Sequence, residues 1–242
     1  MSHYVQIGAG AGDCDPAANY RDGFSLFVKG VKLKEDDRII VVEANKLNLN
    51  SLRLSWIDFP QVSVYQLAIG SGTVTSKDTL QLFYSLDDGP HFQISSTIKE
   101  HVQVFFAEES IRSFEVPWMD INSFLKMSCE GNRIEILATD IEGLDVRVLN
   151  ELDLSLFDIH KISFEKSHGG SDLKQLVDKL KSAGYRKGGM GMDPHNSDAL
   201  WVKPESLLET VQIFLINLKH VCWELQIPAR HAIKTKLKSL LR

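Results

Sequence analysis

Three alternating glycines directly behind a short apolar strand constrain this chain more than any other feature of its sequence. Tyr4–Ile7 has the β-branched and apolar residues of a buried strand, and Gly8, Gly10 and Gly12 follow it at once. Because glycine has no Cβ, such a loop can turn sharply and let a ligand lie against backbone N–H groups. The spacing is G-x-G-x-G, whereas dinucleotide-binding folds use G-x-G-x-x-G. An ordinary tight turn can carry the same letters, so a binding role needs support from elsewhere in the chain.

The composition is that of a globular protein. A length of 242 residues fits one large α/β domain with or without an appendage, and the 43% hydrophobic content is ordinary. A net charge of -5 gives no reason to expect nucleic-acid binding. Three widely spaced cysteines without a C-x-x-C pair predict reduced thiols. Neither a leader sequence nor an apolar stretch of about 20 residues stands out, so we expect a cytoplasmic protein.

Strand and helix patterns alternate along most of the chain. Apolar runs that predict strands, several closed by an acid, are Arg38–Glu43, Val62–Gly70, Arg133–Asp140, Ile159–Glu165, Tyr185–Gly188 and Ala199–Val202. Between them lie segments with helical periodicity, including one that Asp120 should cap. This alternation predicts a mainly parallel sheet with helices on its faces. Ligands bind at the carboxyl ends of such strands.

Two segments depart from the alternation. Residues 71–116 contain polar turns and short alternating stretches, which predict an inserted flap or extra β-structure without a helix. Glu205–Gln226 predicts a long amphipathic helix whose apolar stripe packs on this chain or on a second copy, as in a homodimer. The basic stretch after it, residues 229–242, is typical of a solvated helix end. We therefore predict a main domain over residues 1–203 and a C-terminal helical extension over residues 204–242.

Glu43 supports a binding role for the glycine loop. It closes the second predicted strand, where a carboxylate can accept hydrogen bonds from both hydroxyls of a cofactor ribose. A solvated acid at a strand end is the simpler explanation for Glu43 alone. Together with the glycine loop, ribose binding is the better interpretation.

Several motifs occur in one order that resembles the FkbM-type methyltransferase family, over roughly residues 4–203. Those motifs are Val5–Gly12, Val42–Asn45, Ala68–Gly70, Trp118–Leu125, Ile136–Leu149 and Ile162–Glu165. The most specific of them contains Asp140-Ile141-Glu142-Gly143 followed by an apolar helix. The resemblance implies a Rossmann-like class I methyltransferase fold, α/β, with helices on both faces of the sheet and an antiparallel last strand.

The resemblance also implies S-adenosylmethionine as the methyl donor and a hydroxyl acceptor on a small metabolite, sugar or glycan. Residues that would bind the cofactor are Gly8, Ala9, Gly10, Gly12, Glu43, Ala44, Asn45, Ala68, Ile69 and Asp140. Asp140 and Glu142 would also face the reaction centre. Three positions depart from the family pattern, which usually has an acid at Gln6, Asn at Gly10 and Lys at Ala138. These departures leave open an altered contact to the methionine ammonium of the cofactor and a weakened activity.

Transfer of a methyl group to a hydroxyl needs alignment and a proton acceptor, or a metal that lowers the pKa of the hydroxyl. The candidate catalytic residues are Asp140, Glu142, Glu165 and His168, with His195 as a further loop histidine. Converging carboxylates can also hold Mg²⁺, although surface and capping acids look the same in sequence, and we predict no metal. N-methylation is an alternative, but Asp140-Ile141-Glu142-Gly143 stands where amino-methylating enzymes often carry Asp/Asn-Pro-Pro-Tyr. A cofactor-binding partner subunit without catalysis is another alternative.

Overall fold

Within the described residues, a seven-stranded sheet forms the centre of the fold, and a three-stranded sheet lies beside it. The computed structural model describes residues 1–13, 22–72, 79–189 and 198–217. The strands are β1 (Ser2–Ile7), β2 (Arg38–Glu43), β3 (Val62–Gln66), β4 (Ala68–Gly70), β5 (Thr79–Ser85), β6 (Ile111–Asp120), β7 (Arg133–Thr139), β8 (Ile159–Glu165), β9 (Arg186–Gly189) and β10 (Asp198–Val202). The larger sheet has the order β3-β2-β1-β7-β8-β10-β9, and the smaller one β4-β6-β5.

Strand directions agree with the predicted fold class. Strands β1, β2, β3, β7 and β8 pair in parallel, while β10 runs antiparallel to both of its neighbours, β8 and β9. The helices are α1 (Gly23–Lys29), α2 (Leu49–Ser55), α3 (Lys99–Phe105), α4 (Ile121–Cys129), α5 (Asp145–Glu151), α6 (Asp172–Ser182) and α7 (residues 207–217). The chain therefore forms a Rossmann-like α/β sheet with an antiparallel last strand.

Both faces of the larger sheet are buried, which explains its continuous apolar strands. Val5 and Ile40 belong to a core with α4, α5 and α6, whereas their strand neighbours Tyr4 and Ile39 pack with α1 and α2. Successive residues of a strand point to opposite faces, so helices on each side cover one set. The prediction of helices on both faces is confirmed.

The inserted segment corrects two predictions. The single strand predicted over Val62–Gly70 divides at Leu67, because Ala68–Gly70 leaves the main sheet and pairs with β6. The extra β-structure is present as β5 and β6, but the segment also contains α3, where no helix was predicted. Val102 on α3 is fully buried while Val104 is exposed. Tertiary packing of one helix face thus overrides the β propensity of these valines.

The C-terminal helix begins where the sequence predicts an amphipathic helix. Ile213 of α7 is buried, and Asn217 Nδ2 donates to the Lys187 carbonyl oxygen at 2.6 Å. Glu209 contacts Nε2 of His160 at 2.9 Å, so α7 is tied to the sheet. The continuation of this helix to Gln226 and the basic stretch lie outside the described residues. The division at residues 203 and 204 and a homodimer through this helix stay predictions.

Candidate functional site

Four strands end in register at one edge of the sheet. Ile7 is opposite Val42 on one side and Thr139 on the other, and Thr139 is opposite Phe164. The residues that directly follow these four positions are Gly8, Glu43, Asp140 and Glu165. The glycine loop and three predicted site acids therefore lie along one row at the carboxyl ends of the strands, where α/β sheets bind ligands.

The glycine loop is a tight left-handed turn. Gly8, Gly10 and Gly12 have φ of 79°, 54° and 64°, values that L side chains rarely adopt. The N–H groups of Gly8 and Ala9 both donate to the Val42 carbonyl oxygen at 2.9 Å, which fixes the loop to β2. At Gly8 a Cβ would lie 1.7 Å from the Asp140 carbonyl oxygen, whereas at Gly10 it would meet nothing within 4 Å. One glycine thus serves backbone packing, and the other faces open space.

Glu43 is buried and holds the loop to the end of β2. Its Oε2 accepts from the Gly10 N–H at 2.7 Å, and its Oε1 accepts from the Asn45 N–H at 2.6 Å. Burial raises the pKa of Glu43 to about 7, although these two hydrogen bonds act in the opposite direction. An ionised carboxylate has about four acceptor positions, so Glu43 can still accept from a ligand.

A cavity of about 340 Å³ lies over this edge, within the range of ~300–1,000 Å³ usual for small-molecule sites. The predicted residues that line it are Gly8, Ala9, Gly10, Gly12, Glu43, Ala44, Ala68, Ile69, Asp140, Glu142, Glu165 and His168. Asn45 does not line it: its side chain donates to Ser95 Oγ and accepts from the Leu47 N–H. His195 lies outside the described residues.

One end of the cavity, where Asp140, Glu142, Glu165 and His168 lie, is rich in carboxylates, and we call it the acceptor end after the role predicted for these residues. Within the described part of the chain, the carboxylates of Asp140, Asp145 and Glu165 can place oxygens within 4.8 Å of one another. Burial raises the pKa of Asp140 well above its usual range, and Asp145 and Glu142 raise it further. Burial also raises the pKa of Asp145 to about 7. Oxygen donors of this kind suit Mg²⁺. The group includes Asp145, which the sequence did not single out.

Histidines lie next to these acids. His168, half-exposed, has its Nε2 3.7 Å from Oε1 of Glu165. His101 on α3 has a side chain that is 8% exposed, and its Nε2 is 2.9 Å from Oε2 of Glu142. Sequence reasoning did not single out His101, because only the packing of α3 brings it to Glu142 across 41 residues.

Gln6 and Asp22 form a second pair that the sequence did not indicate. Gln6 Nε2 donates to Asp22 Oδ1 at 2.9 Å, and Asp22 Oδ2 caps α1 by accepting from the Ser25 N–H. Both residues are buried and line the cavity. Oε1 of Gln6 has no hydrogen-bond partner among the described residues. The capping pattern Asp22-x-x-Ser25 was the available signal for Asp22.

The sequence that forms this site matches a known protein family. The sequence model of the Methyltransferase FkbM domain matches residues 6–187, which is most of the chain. The chain belongs to the FkbM methyltransferase family. The match confirms the predicted family, and it makes S-adenosylmethionine the cofactor expected in the cavity. No curated protein matches this FkbM-family chain.

Solved structures that are similar to this FkbM-family chain are distant from it in sequence. Fibrillarin from Aeropyrum pernix, in complex with natively bound S-adenosyl-L-methionine, is 8% identical with a TM-score of 0.40; the match covers 83% of this chain and 64% of that one. The human methyltransferase 10 domain containing protein is 9% identical with a TM-score of 0.43, over 85% and 73%. Precorrin-6y C5,15-methyltransferase from Geobacter metallireducens is 15% identical with a TM-score of 0.36, over 85% and 82%. The chain thus spans slightly less than two thirds of the fibrillarin chain.

None of the helices in the described part of the chain combines the length and the apolar character required to cross a bilayer.

Proposed function

We propose that this chain is an S-adenosylmethionine-dependent O-methyltransferase that acts on a hydroxyl group of a small metabolite, sugar or glycan. The observation that carries the proposal is the single cavity that joins the glycine loop and Glu43 to Asp140, Glu142 and Glu165. A cofactor cradle and a set of proton acceptors are thus within reach of one bound donor and one acceptor.

The cofactor would lie along the glycine loop. Gly10 faces open space, so the methionine part can approach the backbone there. Glu43 would accept from the ribose hydroxyls with the acceptor positions that Gly10 and Asn45 leave free. Ala68 and Ile69 line the cavity as apolar surface for the adenine. A contact between the cofactor and Asn45 stays a prediction. The Asn45 side chain is already hydrogen-bonded to Ser95 and to the Leu47 N–H.

The methionine ammonium would meet Gln6. Its Oε1 is a buried acceptor with no hydrogen-bond partner in the described residues, and such an atom is costly unless a ligand provides a donor. Asp22 supplies a carboxylate directly behind the amide and receives the Gln6 N–H, so Oε1 is the amide atom that is left to accept from a ligand. In this way a neutral side chain can take the place of the acid that the family usually has.

Methyl transfer requires the acceptor oxygen in line with the sulfur–methyl bond, and alignment supplies much of the rate. The hydroxyl proton needs an acceptor as the new bond forms. Asp140, Glu142, Glu165 and His168 line the same end of the cavity and are the candidate groups. S-adenosylmethionine brings the activated methyl group, while the chain orients the acceptor and accepts its proton.

Transfer of the methyl-tritium label of S-adenosylmethionine to a panel of methyl hexopyranosides and polyols tests this function. We expect the label in methyl ethers formed at the acceptor hydroxyls, with S-adenosylhomocysteine as the second product. The same panel with amino sugars tests the N-methylation alternative. Cofactor binding without transfer to any acceptor would favour a partner subunit, and activity lost on chelation and restored by Mg²⁺ would show that the acid group holds a metal.

A further inference from the structure

The inserted segment brings one largely enclosed side chain to the acceptor end of the cavity. His101 on α3 has its Nε2 2.9 Å from Oε2 of Glu142, and the two side chains are 8% and 19% exposed. Because an ionised carboxylate only accepts, the imidazole N–H donates to Glu142. A charge-assisted hydrogen bond is stronger where water is largely excluded.

The His101 ring is itself fixed by its surroundings. It packs edge-on against His168, with ring centroids 4.8 Å apart and planes at 87°, and its centroid lies 5.5 Å from that of Phe105. A Cβ added to Gly143 would lie 3.2 Å from Nδ1 of His101. The imidazole therefore fits this closely because the residue after Glu142 is glycine.

Glu142 has a backbone conformation that few residues with side chains adopt. Its φ is 49°, in the left-handed region, which is unfavourable for an L residue. Such strain persists where the surroundings over-determine it, and it clusters at functional sites. Ser96 Oγ of the inserted segment donates to the Glu142 carbonyl oxygen at 3.0 Å. The segment thus holds Glu142 by its main chain through Ser96 and by its carboxylate through His101.

We infer that His101 is a positioning residue that holds the Glu142 carboxylate as the acceptor of the hydroxyl proton, an inference that rests on the proposed O-methylation. The acceptor oxygen bonds to the methyl carbon as the sulfur–methyl bond breaks, and that electron pair stays on sulfur. The hydroxyl proton passes to Glu142. Sulfonium and carboxylate each lose their charge, while His101 keeps its N–H. The inserted segment then completes the site as well as covering it.

Steady-state kinetics of three variants test this role with labelled S-adenosylmethionine and the methyl hexopyranoside panel. We expect His101→Leu to lower kcat about 10- to 100-fold with the KM for S-adenosylmethionine within about twofold, because proton acceptance and not binding is impaired. His101→Gln should recover much of kcat, since its amide N–H can also donate to Glu142. Gln103→Leu, on the same helix but paired with exposed Glu108, is the control and should match the wild type.

Three results would overturn the inference. The first is His101→Leu with wild-type kcat, and the second is His101→Gln no faster than His101→Leu. The third comes from nitrogen-15 NMR of the imidazole: an unchanged His101 Nε2 signal in Glu142→Gln would show that the hydrogen bond is absent. A wild-type protein that methylates amines but no hydroxyl would instead overturn the O-methylation proposal, and the NMR signal would still decide whether the pair exists.

Discussion

The two ends of the cavity are built in different ways. The glycine end is a backbone structure: Gly8 and Ala9 donate to β2, and Gly10 donates to Glu43, all within the first two strands and the loop between them. The acceptor end is a side-chain structure, in which α3 brings His101 to Glu142 and β7, α5 and β8 bring three acids together. Added atoms should therefore damage the glycine end, and changes of charge or hydrogen bonding should damage the acceptor end.

The strongest test of the first half of this contrast compares two glycines of the same loop. Gly8→Ala places a Cβ 1.7 Å from the Asp140 carbonyl oxygen, and we expect it to lower the free energy of unfolding by about 4 kcal/mol or more. Gly10→Ala has open space and should cost only about 1 kcal/mol for the left-handed backbone. Urea unfolding of both variants measures the difference. Equal losses would mean that the loop does not pack as described.

Charge at the glycine end offers a second test. Gln6→Glu puts a carboxylate beside Asp22, whose Oδ1 is 2.9 Å from Gln6 Nε2. Because two buried acids would then face each other without a counter-charge, we expect the free energy of unfolding to fall by about 3 kcal/mol. Adding Asp22→Asn should recover most of this loss, because the Asn amide can donate to the new acid. Unfolding of the single and double variants forms a cycle. Additive effects would show that the two side chains do not interact.

Glu43 should make the stability of the free protein depend on pH. Its pKa in the fold is about 7, raised from 4.5, so its contribution is fully present below about pH 4.5 and is lost as the pH rises through about 7. The free energy of unfolding of the wild type should therefore fall by roughly 3 kcal/mol more than that of Glu43→Gln between these limits. Chemical denaturation across this pH range, without cofactor, gives the two curves. Parallel curves would place Glu43 in a more solvated setting.

Asp140 should show the opposite profile, with little effect on binding and a clear effect on turnover. Asp140→Asn keeps the size of the side chain but cannot become charged when the sulfonium is bound. We expect S-adenosylmethionine affinity within about twofold and kcat lowered about 10-fold. Calorimetry and single-turnover assays separate these quantities. Wild-type turnover in this variant would show that the Asp140 carboxylate does not assist methyl transfer.

The sequence predicted lining residues at both ends of the cavity, but not the side chains that tertiary packing adds to them. Gly8, Gly10 and Glu43 follow strands whose apolar runs are visible locally, and parallel strands align their carboxyl ends. His101 reaches Glu142 only through α3, a helix whose valines favour strands in isolation. The sequence did not single out Asp22 or Asp145, and only tertiary packing shows that Asp22 lines the cavity and that Asp145 lies beside Asp140 and Glu165.

Binding of S-adenosylmethionine, measured by calorimetry on the wild type and on Glu43→Ala, tests the central claim most directly. The account predicts one site per chain in the wild type and an affinity loss on the order of 2–4 kcal/mol in Glu43→Ala, because the ribose hydroxyls lose the buried carboxylate that accepts from them. A folded wild type that releases no binding heat at any temperature tested, or a Glu43→Ala variant with unchanged affinity, would contradict it.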